Sequence, residues 1–287
     1  MRGRSRGHRK FIGVLVGAAV LALLGAAALL ALLPPPLWWV RAAAARRDAW
    51  AECDLARRYE NGLGVPRSFA RAALWFRRAA DQGDACAECD LGVLYARGEG
   101  VGRDYREAAR WIRAAAARRN PIACFDLGSM YKRGLGVPQD YGRAATWFRR
   151  AAAAGVAQAM CYVGLMYSQG LGVPQDYRVA MVWYRRAAAA GSAAAMYDLG
   201  WHYARGEGAK QDYGEALAWW RKAAAAGDYR AMNGIGVFYS RGLGVTRDAA
   251  RARLWLRRAA VAGYAPAQRA LGRLGLEPRT RQSRGVK

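Results

Sequence analysis

From residue 48 onward, the aromatic and small apolar residues of this 287-residue chain return every 36 positions. Tyr59, Tyr95, Tyr131, Tyr167, Tyr203 and Tyr239 form one series. Trp75, Trp111, Trp147, Trp183, Trp219 and Trp255 form a second, and Gly64, Gly100, Gly136, Gly172, Gly208 and Gly244 a third. Within a period the apolar positions fall at helical spacing, so each period predicts two helices. In the first, Ala51, Leu55 and Tyr59 share a face, with Ala56 beside Leu55. Gly92, Gly128, Gly164, Gly200 and Gly236 replace that alanine in later periods, and a small residue there lets a neighbouring helix approach. In the second, Ala72, Trp75, Phe76, Ala79 and Ala80 make the stripe of a buried face. Ser68, Asp104, Asp140, Asp176, Asp212 and Asp248 are suited to cap its N-terminus. Gly62 and its equivalents stand just past the first helix, where a left-handed residue is wanted. Gly83, Gly155, Gly191, Gly227 and Gly263 end the second helix, and Arg119 takes that place in the second period. A lone pair cannot bury its Trp and Tyr, whereas stacked pairs can, each repeat contacting mainly its neighbours. Large aromatics spaced by alanine would then build a continuous core without many large aliphatics.

The N-terminal region reads differently. Phe11 to Leu33 is 23 residues without a charge, long enough as a helix to cross a bilayer core of roughly 30 Å. A basic stretch precedes it, Pro34, Pro35 and Pro36 stop it, and Trp38 and Trp39 follow where an interfacial aromatic belt would lie. The run exceeds the apolar region of an ordinary signal peptide, although Gly25-Ala26-Ala27 leaves room for cleavage. Residues 1–10 are therefore read as a cytoplasmic leader, 11–33 as a transmembrane anchor or signal peptide, and 34–47 as a linker, helical or flexible. The array follows over 48–263, then a capping half-repeat over 264–276 and a basic tail over 277–287. The basic leader favours an inner-membrane, single-pass topology with the repeats in the periplasm, or secreted if the segment is cleaved.

Charge refines this picture. The chain holds 46 Lys and Arg against 21 Asp and Glu, a formal +25. Residues 1–47 contribute +8 and residues 276–287 contribute +3. The +14 of the array comes largely from two registers of the second helix: Arg77, Arg113, Arg149, Arg185, Arg221 and Arg257, then Arg78, Arg150, Arg186, Lys222 and Arg258. Cations there favour the helix C-terminus and cover Trp edges with their stems. With the aromatics assigned to the core, the pattern argues against nucleic acid. Gly-x-Gly loops recur between helices with no preceding strand, so they are structural rather than phosphate-binding. The two histidines, His8 and His202, complete no nucleophile–base–acid set. His202 takes a mostly apolar register and reads as packing. No metal, cofactor or catalytic group is expected.

The stretch from Ala159 to Gly191, AMCYVGLMYSQGLGVPQDYRVAMVWYRRAAAAG, resembles the Sel1-like repeat, a relative of the tetratricopeptide repeat. Its small-residue, Leu-Gly, Tyr, Gly-x-Gly-Val, Asp, Ala, Trp, Ala-Ala and Gly positions recur in all six units. The resemblance implies an all-α fold, a right-handed α-solenoid of six 36-residue helix-turn-helix repeats plus a half-repeat cap. It also implies protein–protein scaffolding in bacterial envelope signalling, secretion or assembly, with the first helices on the concave side. On those helices Asp54, Asp90, Asp126 and Asp198 share one register, and Arg97, Arg133, Arg205 and Arg241 another. The two rows either pair with each other or form a polar strip for a protein partner, whose identity is open. Cysteines form disulfides in some such proteins. Here Cys53, Cys89 and Cys161 are equivalent, Cys86 and Cys124 lie nearby, and an odd count at interhelical spacing disfavours bridges between equivalents. Two rivals to an anchored scaffold remain. One is a secreted, disulfide-linked protein with hydrolase-like activity, and the other binds an anionic polymer such as a polysaccharide.

Overall fold

A computed structural model describes residues 34–273. The 11–33 segment, the leader and the tail lie outside the described residues. Among the described residues there are fourteen helices and no strand, and no helix is long and apolar enough to cross a membrane. The chain divides at Asp84 into two compact units. The first contains α1 (Leu37–Ala45), α2 (Ala49–Asn61) and α3 (Phe69–Asp81). The second contains α4 (Ala85–Arg97), α5 (Tyr105–Ala117), α6 (Pro121–Arg133), α7 (Tyr141–Ala153) and α8 (Ala157–Gln169). It continues with α9 (Tyr177–Ala189), α10 (Ala193–Arg205), α11 (Tyr213–Ala225), α12 (Tyr229–Arg241), α13 (Ala249–Val261) and α14 (Ala265–Arg273). Within this second unit each successive pair of helices, from α4 to α14, packs together, which is the repeated helical solenoid.

Local signals set the boundaries. Ser68, Asp104, Asp140, Asp176, Asp212 and Asp248 all cap as expected, each side chain accepting a backbone N–H of the first turn. Gly62, Gly134, Gly170, Gly206 and Gly242 end first helices in the left-handed region. Arg119 adopts the glycine's role with φ of 63°, and so does Arg47.

Arg47 exposes half a repeat within the residues read as a linker. It lies 36 residues before Gly83, as Trp39 does before Trp75 and Val40 before Phe76. Residues 37–45 accordingly form α1, a lone second helix packed on α2, with Val40 and Ala44 fully buried. The repeat pattern thus begins a helix before residue 48.

The core also differs from the expected tryptophan ladder. Only Trp111 of that series is buried, while Trp75, Trp147, Trp183, Trp219 and Trp255 are half-buried. The buried ladder lies one residue later, at Phe76, Ile112, Phe148, Tyr184, Trp220 and Leu256. The tryptophans form its outer edge, where a cation one turn on covers each ring. Arg78, Arg150, Arg186, Lys222 and Arg258 lie 4.2–4.9 Å from the centroids of Trp75, Trp147, Trp183, Trp219 and Trp255. Trp111, whose register lacks that cation, is covered by Arg110 at 4.3 Å. The repeated basic register is thus a set of cation–π contacts, each contributing about 0.5–1 kcal/mol where exposed.

In the second unit the buried ladder fits against the first-helix glycines. Gly92 meets Ile112, Gly128 meets Phe148, Gly164 meets Tyr184, Gly200 meets Trp220 and Gly236 meets Leu256. A methyl group at Gly128 would lie 2.8 Å from Phe148, and one at Gly164 would lie 2.8 Å from Tyr184. A different solution holds the N-terminal end of α2 in the first unit. Glu52 is fully buried there, and its carboxylate takes Arg78 at 2.8 Å and Gln82 at 2.6 Å from the end of α3. In the second unit Glu88, its equivalent, takes Arg118 at 3.3 Å. Later repeats place Cys124, Met160, Met196 and Met232 in that register, so the charged solution is confined to the first two repeats.

Gly164→Ala is expected to destabilise the fold by about 1–2 kcal/mol in urea unfolding, because overpacking of about 1–3 kcal/mol exceeds the alanine's gain in helix propensity. Gly102, with open space around it, is the control. Gly102→Ala should stay within about 0.5 kcal/mol of the parent, and equal effects at the two sites would contradict the close-contact account.

Candidate functional site

A cavity of about 640 Å³ opens on the first-helix side of the second unit. Its walls come from three successive first helices, α8, α10 and α12, and its floor from the turn before α10. On α8, Tyr162 is fixed by stacking on Phe148 at 4.9 Å, with the Lys132 ammonium 4.3 Å from its ring centroid. Leu165 continues the apolar wall one turn on. Below, Cys161 and Ser192 share a hydrogen bond of 3.1 Å, while the Ser192 hydroxyl also accepts the Ala195 N–H and caps α10. Burial pushes the Cys161 thiol up, so it stays protonated and is a packing group rather than a nucleophile.

The charged rim joins α10 to α12. Burial pushes the Asp198 carboxyl up to about 6, against the downward pull of the Arg230 guanidinium, and Asp228 adds to the rise. Arg230 is held by Asp228, the N-cap of α12, at 2.6 and 3.2 Å, and lies 4.4 Å over the Tyr197 ring. With its cation committed to another carboxylate, Asp198 is a desolvated acid incompletely neutralised beside an apolar wall. Such a site suits a cationic or hydrogen-bond-donating side chain next to an apolar one.

A model of the Sel1 repeat family matches residues 51–84, 87–120, 121–156, 157–192, 193–228 and 230–264. The chain belongs to the Sel1 repeat family. Among solved structures it is similar to a protective antigen of uropathogenic Escherichia coli strains displaying an SLR fold, at 36% identity and a TM-score of 0.79. That match covers 84% of this chain and 52% of the antigen, so the chain spans about half the antigen's length. It is also similar to a Sel1 repeat protein from Oxalobacter formigenes, at 35% identity and a TM-score of 0.70, over 76% of this chain and 90% of that one. Comparison with curated proteins gave no match. Sel1 repeat proteins generally mediate protein–protein interaction.

The acid and base rows on the Sel1 first helices resolve into local groups. In the first unit, Asp54 pairs with Arg58 of its own helix at 2.7 Å, and Arg58 also donates to the Pro35 carbonyl. In the second unit, Asp126 lies within the fields of both Asp90 and Arg97, and burial pushes its carboxyl up to about 6. Arg97 contacts Glu99 at 3.7 Å. Arg205 contacts Glu207 at 2.8 Å and covers Trp201, while Asp198 faces Arg230. Arg133 is exposed, and Arg241 lines a second cavity. Arg97 and Asp126 thus approach one another, whereas Asp198 finds its cation in the register of Trp50, Cys86, Ile122, Gln158 and Ala194. That position changes character in every repeat, so no recurrence marks Arg230.

His202 is buried as expected, between the Tyr177 and Tyr184 rings, with its Nδ1 3.0 Å from Glu207. Burial holds its pKa below the usual imidazole value despite that carboxylate. Among the described residues no three His, Cys, Asp or Glu side chains are grouped to hold a metal ion.

Asp126 and Asp198 generate a pH signature. Each has a folded value of about 6 against an ordinary 3.8, so both states are protonated below about pH 4 and the charge penalty grows as pH rises through 6. Asp198→Asn is expected to raise the urea midpoint at about pH 7.5 and to leave it unchanged at about pH 3.5. A variant less stable than the parent at the higher pH would contradict this.

Proposed function

We propose that this Sel1 repeat protein is a membrane-anchored scaffold that docks a protein partner in the groove of α8, α10 and α12. The reading rests on the desolvated Asp198 carboxyl, backed by Arg230 and flanked by Tyr162 and Leu165. The groove offers a partner's basic or amide-bearing side chain a better neutralised acid, and an adjacent apolar side chain a dry wall. A surface built on three rigid helices is largely preformed, so little ordering opposes binding.

The anchor is the uncharged stretch from Phe11 to Leu33, with the basic leader in the cytoplasm and a right-handed solenoid in the periplasm. Trp38, 71% exposed, lies immediately beyond Pro34, Pro35 and Pro36, with Arg41, Arg46 and Arg47 nearby and also exposed. Aromatic and basic side chains of this kind suit a bilayer interface. An anchored array would hold its partner at the membrane, in envelope signalling, secretion or assembly.

A photo-crosslinking residue at Gln158 or Ala194 of the full chain, in native membranes, is expected to capture a discrete protein. The same residue at Arg113, on a second helix, should not. Capture of the same species from both faces, or nothing above an anchor-only control, would contradict the groove as the docking site. Reporter fusions at the C-terminus that are active only in the cytoplasm would contradict the topology.

A further inference from the structure

We infer that the cleft between α12, α13 and α14 is a binding site for an acidic peptide segment. This cavity, about 570 Å³, lies in the second unit and shares no lining residue with the groove at Asp198. Three arginines line it, Arg241 from α12 and Arg269 and Arg273 from α14. Among the described residues none of the three forms an ion pair. The reason is legible in the repeats. Arg205, one period before Arg241, is neutralised by Glu207 at 2.8 Å, but the residue one period after Glu207 is Leu243. Arg269 and Arg273 are one helical turn apart on the same face, where like charges disfavour one another. Three guanidinium groups therefore surround one cleft of mixed polar and apolar lining, with no counter-charge among the described residues.

The rest of the lining selects the kind of anion. Asn233 reaches the cleft from the first half of α12, and its Oδ1 is buried with no hydrogen-bond partner. That acceptor calls for a donor, which a peptide N–H supplies and a phosphodiester does not. Val237 and Ala270, both half-buried, give the wall an apolar strip for an aliphatic side chain. No aromatic side chain lines the cleft, so it offers no stacking surface for bases. Carboxylates are matched in pairs by the guanidinium fork. The ligand is thus an extended segment with carboxylates spaced along an apolar-flanked backbone, meeting the arginines while one amide N–H bonds to Asn233. The inference stands apart from the groove at Asp198, and failure of either leaves the other intact.

The test uses the full chain in detergent and a fluorescent peptide of mixed glutamate and leucine, against its glutamine counterpart, read by anisotropy. The acidic peptide is expected to bind at least about ten-fold more tightly than the glutamine peptide at about 100 mM salt. Arg269→Gln with Arg273→Gln should lose about ten-fold or more with the urea midpoint unchanged, since among the described residues neither arginine makes an ion pair. The control is Arg253→Gln with Arg257→Gln, which removes the same charge from exposed positions of α13 and should cost less than about three-fold. Asn233→Leu, which leaves the charge intact, should also weaken binding. Equal losses in the two double variants would overturn the site, since net charge alone would then account for binding. Equal affinity for the two peptides, or tighter binding of heparin lost equally in both double variants, would overturn it as well.

Discussion

The array depends on one contact, the seating of a large second-helix side chain against a first-helix glycine. Where Tyr184 lies on Gly164, or Phe148 on Gly128, there is no room for a Cβ. The helices approach until backbone touches ring, and dispersion contacts that an alanine would hold apart are made in full. Once that distance is set, the flanking positions must be small, which is why Ala144, Ala151, Ala180 and Ala187 are completely buried. The high alanine content is thus a consequence of close helix approach rather than of weak hydrophobicity.

The same contact explains the charge. Moving the core one residue past the tryptophans leaves one edge of every indole in the series except Trp111 in water. A cation three residues on covers that edge, as Arg150 covers Trp147 and Lys222 covers Trp219. Much of the array's positive excess is therefore bound up in the fold. Arg241 of the α12–α14 cleft differs, because Leu243 stands where a neutralising glutamate would be.

The period of 36, the caps at Asp140 and Asp176 and the left-handed glycines are legible in the sequence, since each recurs and each has a local cause. Which of Trp75 and Phe76 faces the core is not, because both sit on the apolar stripe and only the packing angle of the partner helix separates them. The lone helix α1 was legible in the Trp39–Trp75 spacing and the match of Arg47 to Gly83, but three prolines and the neighbouring apolar run obscure it. The site is less legible than the fold for a physical reason. Recurrence reports what every repeat needs, whereas a ligand is read by what one repeat has and its neighbours lack. Asp198 belongs to a row and was visible. Arg230 and Tyr162 break their registers and became functional candidates only when three helices placed them around one cavity.

Hydrogen–deuterium exchange of the full chain, with and without its crosslinked partner, tests most directly the claim that binding lies on the first-helix side of an otherwise rigid array. The account predicts added protection confined to α8, α10, α12 and the turn at Ser192, with the second helices α9 and α11 unchanged. Protection concentrated on α9 and α11, with α8 and α10 unaffected, would contradict it.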